Sequence, residues 1–442
     1  MGRHGVDETL ARPSGFEQAL TSCGLPQPQS NRGYRPEQLL TQFMLSVWCG
    51  ANRFEHGEVT RHDPVLKQLF GFKKMANFKA VMRLFKKFDQ QTNETVMDAL
   101  YQWMFNQINI NGITLDLDST VMTRYGSQEG TARGYNPAKR GRVSRHPLMA
   151  FVADTRMIAN CWLRSGDSGS ANNVQGFLAN TLHRLGSQRV ALIRADSGFS
   201  DAQFLAHLEE EKYHYIIALK QNQPLQRALV EAQGWWALLD EKNQPVEGIE
   251  LCRFQYQANP WEKPRWVIGI RQHIEKRLAP KGKTLNLFAD DPVIGKYRFS
   301  SLVTDLDLPA VVIWRTYRGR ADCENRIKEL KYDFAADSFN MQDFWATEAV
   351  LNTVMLAYNL MSLMRQVLLK TSTTKHSSNN IQHTLQTLRY KLFAKPAYIN
   401  TEARKSILNL ALAMQHREWM QGLWDASKTF ELPAKFTPLY SP

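Results

Sequence analysis

The sequence predicts an α/β protein: a mixed sheet between helices, interrupted by a β-rich insertion, preceded by an all-helical N-terminal region and followed by C-terminal helices. Three changes of pattern lead there. Residues 36–110 keep a helical period. After Asn111-Gly112 the period drops towards two, and strand-like and helix-like segments alternate. Residues 235–301 break that alternation with Trp-rich, Pro-punctuated short runs. At 442 residues and 43% hydrophobic, the chain can bury a substantial core and form two or three domains.

Taken in order, residues 1–33 are rich in Pro, Ser, Gln and Gly and read as an extended arm. Asp63-Pro64 makes a helix start, Gly71 a stop, Asn77 a second cap, and Thr92 or Asn93 a third. Short helices packed through Leu66, Leu69, Phe70, Val81, Leu84, Phe85 and Phe88 follow from that punctuation. ITLDLD, LMAFVAD and IANCWLR then read as three strands of an antiparallel meander. Residues 171–185 form a helix, RVALIRA a strand, residues 201–211 a helix and YHYIIALK a strand, the later strands adding in parallel through helical crossovers. ELCRFQYQ, RWVIGIRQHI and KYRFSSLVT supply the insertion. Residues 344–369 and 402–424 read as long helices, joined by the polar linker KTSTTKHSSNN. The segments expected are 1–110, helical; 111–234 and 302–370, the two parts of the core; 235–301, the insertion; and 371–442, helical.

A formal charge of +13 and a pI near 9.4 favour a polyanionic partner over an acidic small molecule. Lys67, Lys73, Lys74, Lys79, Arg83, Lys86 and Lys87 lie between Val65 and Phe88 without one acid, which reads as a helix-turn-helix-like set of phosphate contacts or as a basic solvated face. Five cysteines have no metal-site or disulfide spacing, which fits a reducing, cytoplasmic setting. Neither an apolar leader core nor an uninterrupted apolar run of membrane-spanning length is seen, so no membrane partner is expected.

The segment IWRTYRGRADCENRIKELK, residues 313–331, carries the most chemistry. The apolar run Val311, Val312, Ile313 and Trp314 reads as a buried strand feeding a helix, with Gly319 as a flaw that delays the helix to Ala321. Tyr317, Arg320, Glu324 and Lys331 would fall within a sector of about 60° on an ideal helix. A carboxylate beside a phenol, a guanidinium and an ammonium suits a metal-binding acid next to phosphate oxygens; a solvated helix with ordinary ion pairs is the plainer account. Asp116 and Asp118 share one face of ITLDLD, where paired buried carboxylates repel unless a cation or hydrogen bonds compensate. Asp196 follows RVALIRA, where it serves either a turn or a site.

The spacing Tyr317, Arg320, Glu324, Lys331 resembles the YREK signature of bacterial insertion-sequence transposases of the DDE type. DST at Asp118 and DSGF at Asp196 resemble the motifs of the first two acids, and QEG, GYNPAKRG and HPLMAF follow the first. From residue 115 to residue 363 the chain looks like a member of the insertion-sequence thirteen-eighty group. That resemblance implies a ribonuclease H-like core in which Asp118, selected over Asp116, meets Asp196 and Glu324. It implies Mg²⁺, with Mn²⁺ as a substitute, since hard carboxylate ligands suit these ions. Two such ions would clamp a scissile phosphate, one activating water or a 3′-hydroxyl and the other stabilising the departing oxygen. Arg320 and Lys331 would bind flanking phosphates, Tyr317 would donate to one, and Trp314 or another aromatic would stack on an unpaired base. Arg124, Arg133, Lys139, Arg140, Arg142 and Arg145, opposed only by Glu129 in the loop 123–147, would grip DNA. The implied partners are double-stranded DNA, as the element's terminal inverted repeats and the target, and a second copy in a homodimer, in a nucleoid-associated setting.

Two rivals remain. A DNA-binding protein of the same fold without catalysis would keep the basic surface, but the intact acids argue against it. Gly166-Asp167-Ser168-Gly169 spells the GDSG of trypsin-like proteases, yet it continues Ser-Ala-Asn and reads as a turn and helix cap.

Overall fold

The computed structural model describes residues 4–6, 15–30, 33–240, 242–274, 294–369, 383–402 and 405–440. Its centre is one nine-stranded sheet, with strands β1 (Ile113–Ser119), β2 (Leu148–Val152), β3 (Met157–Trp162), β4 (Val190–Ala195), β5 (His214–Ala218), β6 (Trp236–Leu239), β7 (Pro245–Tyr256), β8 (Arg265–His273) and β9 (Tyr297–Thr304). Their spatial order is β6-β7-β8-β9-β5-β4-β1-β2-β3. β1, β2 and β3 form the antiparallel meander, and β4 and β5 add in parallel on the other side of β1. The apolar runs of β1, β2 and β4 suit strands covered on both faces, and all but Ser119 of their residues are buried. The insertion strands do not form a separate body. β9 pairs antiparallel with β5, so β6 to β9 are the other half of the same sheet.

Helices α1 (Phe16–Ser22), α2 (Pro36–Trp48), α3 (Gly57–Arg61), α4 (Pro64–Leu69), α5 (Phe78–Phe85) and α6 (Gln90–Phe105) precede the sheet. They share its hydrophobic core: Phe43, Phe85 and Leu100 belong to one buried cluster with Leu115 and Ile193. Asp63 and Asn77 cap α4 and α5 as expected. α6 is capped by Asp89 instead of Thr92 or Asn93; its carboxylate accepts from Thr92 N at 2.8 Å, while Asn93 turns inward and donates to Trp345 O. The N-terminal stretch is not wholly extended, because Phe16 and Leu20 bury against the core and pull α1 into a helix. α4 buries no side chain, so Leu66, Leu69 and Phe70 are not core residues; Phe70 is 40% exposed and stacks on Phe72.

α7 (Val174–Leu185) and α8 (Ala202–Glu210) follow in the order the periodicity predicts, and α9 (Gln223–Glu231), capped by Asn222, is an additional helix outside those expectations. The run 311–314 is not a strand. α10 (Ala310–Arg318) starts at the helix-initiating Pro309 and buries Ala310 and Ile313, three residues apart, on the side facing β7 and β8. α11 (Ala321–Tyr332) and the buried α12 (Phe344–Met364) complete the core. The second long helix is also shorter than its pattern suggested. Residues 397–402 and 405–410 form an antiparallel hairpin, in which Leu408 and Leu410 alternate into an apolar cavity, and the helix runs only over Met414–Thr429. The tract KTSTTKHSSNN lies outside the described residues. Among the described residues no helix is long and apolar enough to cross a membrane.

Candidate active site

β1 carries apolar Ile113, Leu115 and Leu117 towards one side of the sheet and Thr114, Asp116 and Asp118 towards the other. The two acids meet opposite fates. Arg194, directly across on β4, grips Asp116 with both prongs, Nε to Oδ1 at 2.6 Å and Nη2 to Oδ2 at 2.8 Å, with both side chains almost fully buried. Its remaining nitrogen donates to Thr316 O at the end of α10. A side chain at position 319 would come within 2.9 Å of that guanidinium, so Gly319 is the residue that lets α10 and α11 approach the sheet.

Asp118 stands one residue beyond the paired positions Leu117 and Ala195, as Asp196 does on β4. The two carboxylates therefore project from adjacent strand ends. Oδ1 of Asp118 accepts from Ser119 N at 2.7 Å, and Oδ2 from Arg320 Nη2 at 2.9 Å, with the Cys323 thiol at 3.8 Å. Arg320 also donates to Leu117 O at 3.1 Å. Burial pushes the Asp118 carboxyl up to about 6; the charges of Asp196 and Glu324 push the same way, and Arg320 opposes them. Asp196 caps the short turn Ser197–Phe199 through Gly198 N at 2.9 Å and stays partly exposed. Glu324 is exposed in the first turn of α11.

Tyr317, Arg320, Glu324 and Lys331 are split between two helices, since α10 ends at Arg318 and α11 begins at Ala321. Arg320 lies in the intervening turn. Three side chains of this region still reach the end of β1: Arg320 at Asp118, Cys323 at Asp118, and Lys331, whose Nζ donates to Val121 O at 2.9 Å. Burial holds the Lys331 ammonium below the usual lysine range. Tyr317 is half-buried, and burial raises its phenol; the charges of Asp196 and Asp118 act on it as well. Trp314 packs on the core beside Arg318, 5.1 Å from its ring. The ion-pair partner of Arg320 is thus Asp118, not Glu324.

Around this edge the cations divide into two kinds. Arg124 and Arg145 are buried and hold main-chain oxygens of Asp337 and Glu129, so they are parts of the scaffold. Arg133, Lys139, Arg140 and Arg142 are exposed, on or beside a small sheet of residues 122–123, 132–133 and 143–145, with Lys139 and Arg142 over the exposed Tyr125 ring. Lys67, Lys73, Lys74, Lys79, Arg83, Lys86 and Lys87 are all exposed on α4, α5 and their flanks. In the GDSG turn, His146 Nδ1 faces the main-chain carbonyl of Ser168 at 3.3 Å and Nε2 faces Ser144 Oγ, which is not the arrangement of a serine nucleophile and its base. That turn's follower Ser170 meets Ser119 Oγ at 2.9 Å.

Arg194, Cys323 and Ser170 escaped the sequence reading. Only Arg194 left a signal, as a lone cation within an apolar strand. For a divalent cation the donor chemistry fits: the charges of Asp196 and Glu324 act on the buried Asp118 carboxyl, and a cation would relieve that repulsion. Among the described residues no three His, Cys, Asp or Glu side chains form a ready-made metal cluster.

No curated protein matches the sequence. Among solved structures, the cryo-EM structure of a piggyBac transposase synaptic complex with hairpin DNA is similar at a TM-score of 0.45 and 12% identity, over 96% of this chain and 88% of that one. The family model described as transposase DDE domain group 1 matches residues 8–428, and the chain belongs to that family of transposases.

Proposed function

We propose that this transposase cuts and joins DNA at the edge formed by Asp118, Asp196 and Glu324, binding the ends of an insertion sequence of the thirteen-eighty group as a homodimer. The observation that carries the reading is that Asp118 and Asp196 stand one residue beyond the last paired positions of neighbouring strands, with the charge of Glu324 also acting on Asp118, although the three lie far apart in sequence. The strand order β3-β2-β1-β4-β5 supports a ribonuclease H-like core, with the first two acids on neighbouring central strands.

Asp118, Asp196 and Glu324 would hold Mg²⁺ or Mn²⁺, which when bound supplies Lewis-acid stabilisation of charge on the phosphate oxygens. Arg320 and Lys331 would orient the phosphates flanking the scissile bond, and Tyr317 would donate a hydrogen bond to one of them. Arg140 and Arg142, with their exposed neighbours, would track the backbone beside the site. Lys73 and Lys74 would anchor the element's ends further away. The test is a product gel of linear donor DNA incubated with Mg²⁺, which separates nicks, hairpins and double-strand breaks. Metal-dependent breaks at the element's ends are expected, and an unbroken donor bound by folded protein would overturn the proposal.

A further inference from the structure

We propose that Arg320 is a positioning residue that keeps the Asp118 carboxylate closed to a divalent cation until a DNA phosphate draws its guanidinium away, so that metal binding is coupled to DNA binding. The inference rests on the proposed role of Asp118. It goes further by assigning an order of events to one side chain. Both oxygens of Asp118 are engaged, Oδ1 by Ser119 N and Oδ2 by Arg320. A cation ligated by Oδ2 at about 2.1 Å would stand against the guanidinium, where like charges repel in a partly dry setting.

The engagement of Arg320 is incomplete in a telling way. Nη2 serves both Asp118 and Leu117 O, while Nε is buried without a partner among the described residues. Arg194, one strand over, shows the same fork fully used, with Nε and Nη2 on the two oxygens of Asp116. An unused Nε is costly where water is excluded. The Nε and Nη2 edge is also the one that matches two phosphate oxygens. A phosphate therefore offers Arg320 a better partner than Asp118 does, and its departure frees Oδ2 for a cation. Linkage makes the effect mutual: DNA strengthens metal binding by the factor by which metal strengthens DNA binding.

The experiment measures Mn²⁺ affinity by electron paramagnetic resonance, on the full chain alone and bound to a short duplex of arbitrary sequence at low salt. The complex of Asp118→Asn with the same duplex is the blank for Mn²⁺ held by DNA itself. Wild type should bind Mn²⁺ at least about tenfold more tightly with DNA than without, a coupling of ordinary size. Arg320→Gln should bind it as tightly without DNA as wild type does with it, and Arg320→Lys, which keeps a cation at Asp118, should restore much of the dependence. Folding is checked by circular dichroism; if the Gln variant unfolds, the Lys variant and the wild-type comparison decide. Equal wild-type affinities with and without DNA, or an unchanged affinity in folded Arg320→Gln, would overturn the coupling while leaving Asp118 as a ligand. Mn²⁺ binding that survives Asp118→Asn in the Arg320→Gln background would overturn the proposed site as well.

Discussion

Asp116 and Asp118 stand two residues apart on the same face of the same strand, yet the protein treats them differently. Asp116 is matched oxygen for nitrogen by Arg194, which also ties the end of α10 to the sheet. Asp118 shares one nitrogen of a half-used guanidinium, lies beside two other acids, and has its carboxyl pushed up to about 6. Burial alone does not separate them, since both are nearly inaccessible. What separates them is completeness of pairing. A saturated ion pair locks elements together, whereas an unsaturated one at a strand end has capacity left for a ligand.

The largest expected effect tests the locking half of this contrast. Arg194→Met leaves Asp116 buried and unpaired, and should lower stability by about 3–5 kcal/mol, read as a fall in Tm. The double variant Asp116→Leu, Arg194→Met removes the orphaned charge and should recover much of that loss. If Arg194→Met alone is harmless, the pair is not the lock described.

Glu348 extends the comparison to a carboxylate with no ion pair among the described residues. It accepts from Leu163 N at 2.9 Å, and burial pushes it up to about 7 from a usual value of 4.5. A folded pKa above the unfolded one means that the folded state holds a proton the unfolded state releases. Stability from this group is therefore complete below about pH 4.5 and lost as pH rises through about 7. Glu348→Gln, which keeps an acceptor for Leu163 N, should stabilise the protein by about 1–3 kcal/mol at pH 8 and by little at pH 5. Equal effects at both pH values would show that the group titrates normally.

The smallest effect on folding is expected at the exposed cations. Neutralising Lys73, Lys74, Lys86 and Lys87 together should change Tm hardly at all, since none of the four is buried. Binding to donor ends should weaken, and the slope of log K against log salt should flatten by about 0.9 for each phosphate that is no longer neutralised. An unchanged slope would move end recognition to another surface, the exposed residues around Tyr125 being the first alternative.

The sequence made the centre of this fold legible because the strands of the sheet are either continuous apolar runs or clean alternations, and both patterns are set by burial. Helix starts at Asp63 and Asn77 were legible because a side-chain cap is a local event. The run 311–314 was not, since four apolar residues fit a strand and a helix equally well; Pro309 and the spacing of Ala310 and Ile313 decide the matter only once β7 and β8 are in place. Gly319 looked like a flaw for the same reason, its purpose being the approach of Arg194 from a distant strand. Of the candidate site, the residue types and their spacing could be read in advance. The partner of Arg320 could not, because ion pairing across 202 positions depends on tertiary structure.

The most direct measurement is the single-turnover cleavage rate of Asp118→Asn on pre-bound donor ends, taken beside Asp116→Asn under conditions where both proteins are folded. The account predicts a loss of about 10³-fold or more for Asp118→Asn with end binding nearly intact, because a ligand of the reacting centre is gone, and a much smaller loss for folded Asp116→Asn. Normal cleavage by Asp118→Asn, with Asp116→Asn folded and inactive, would contradict it.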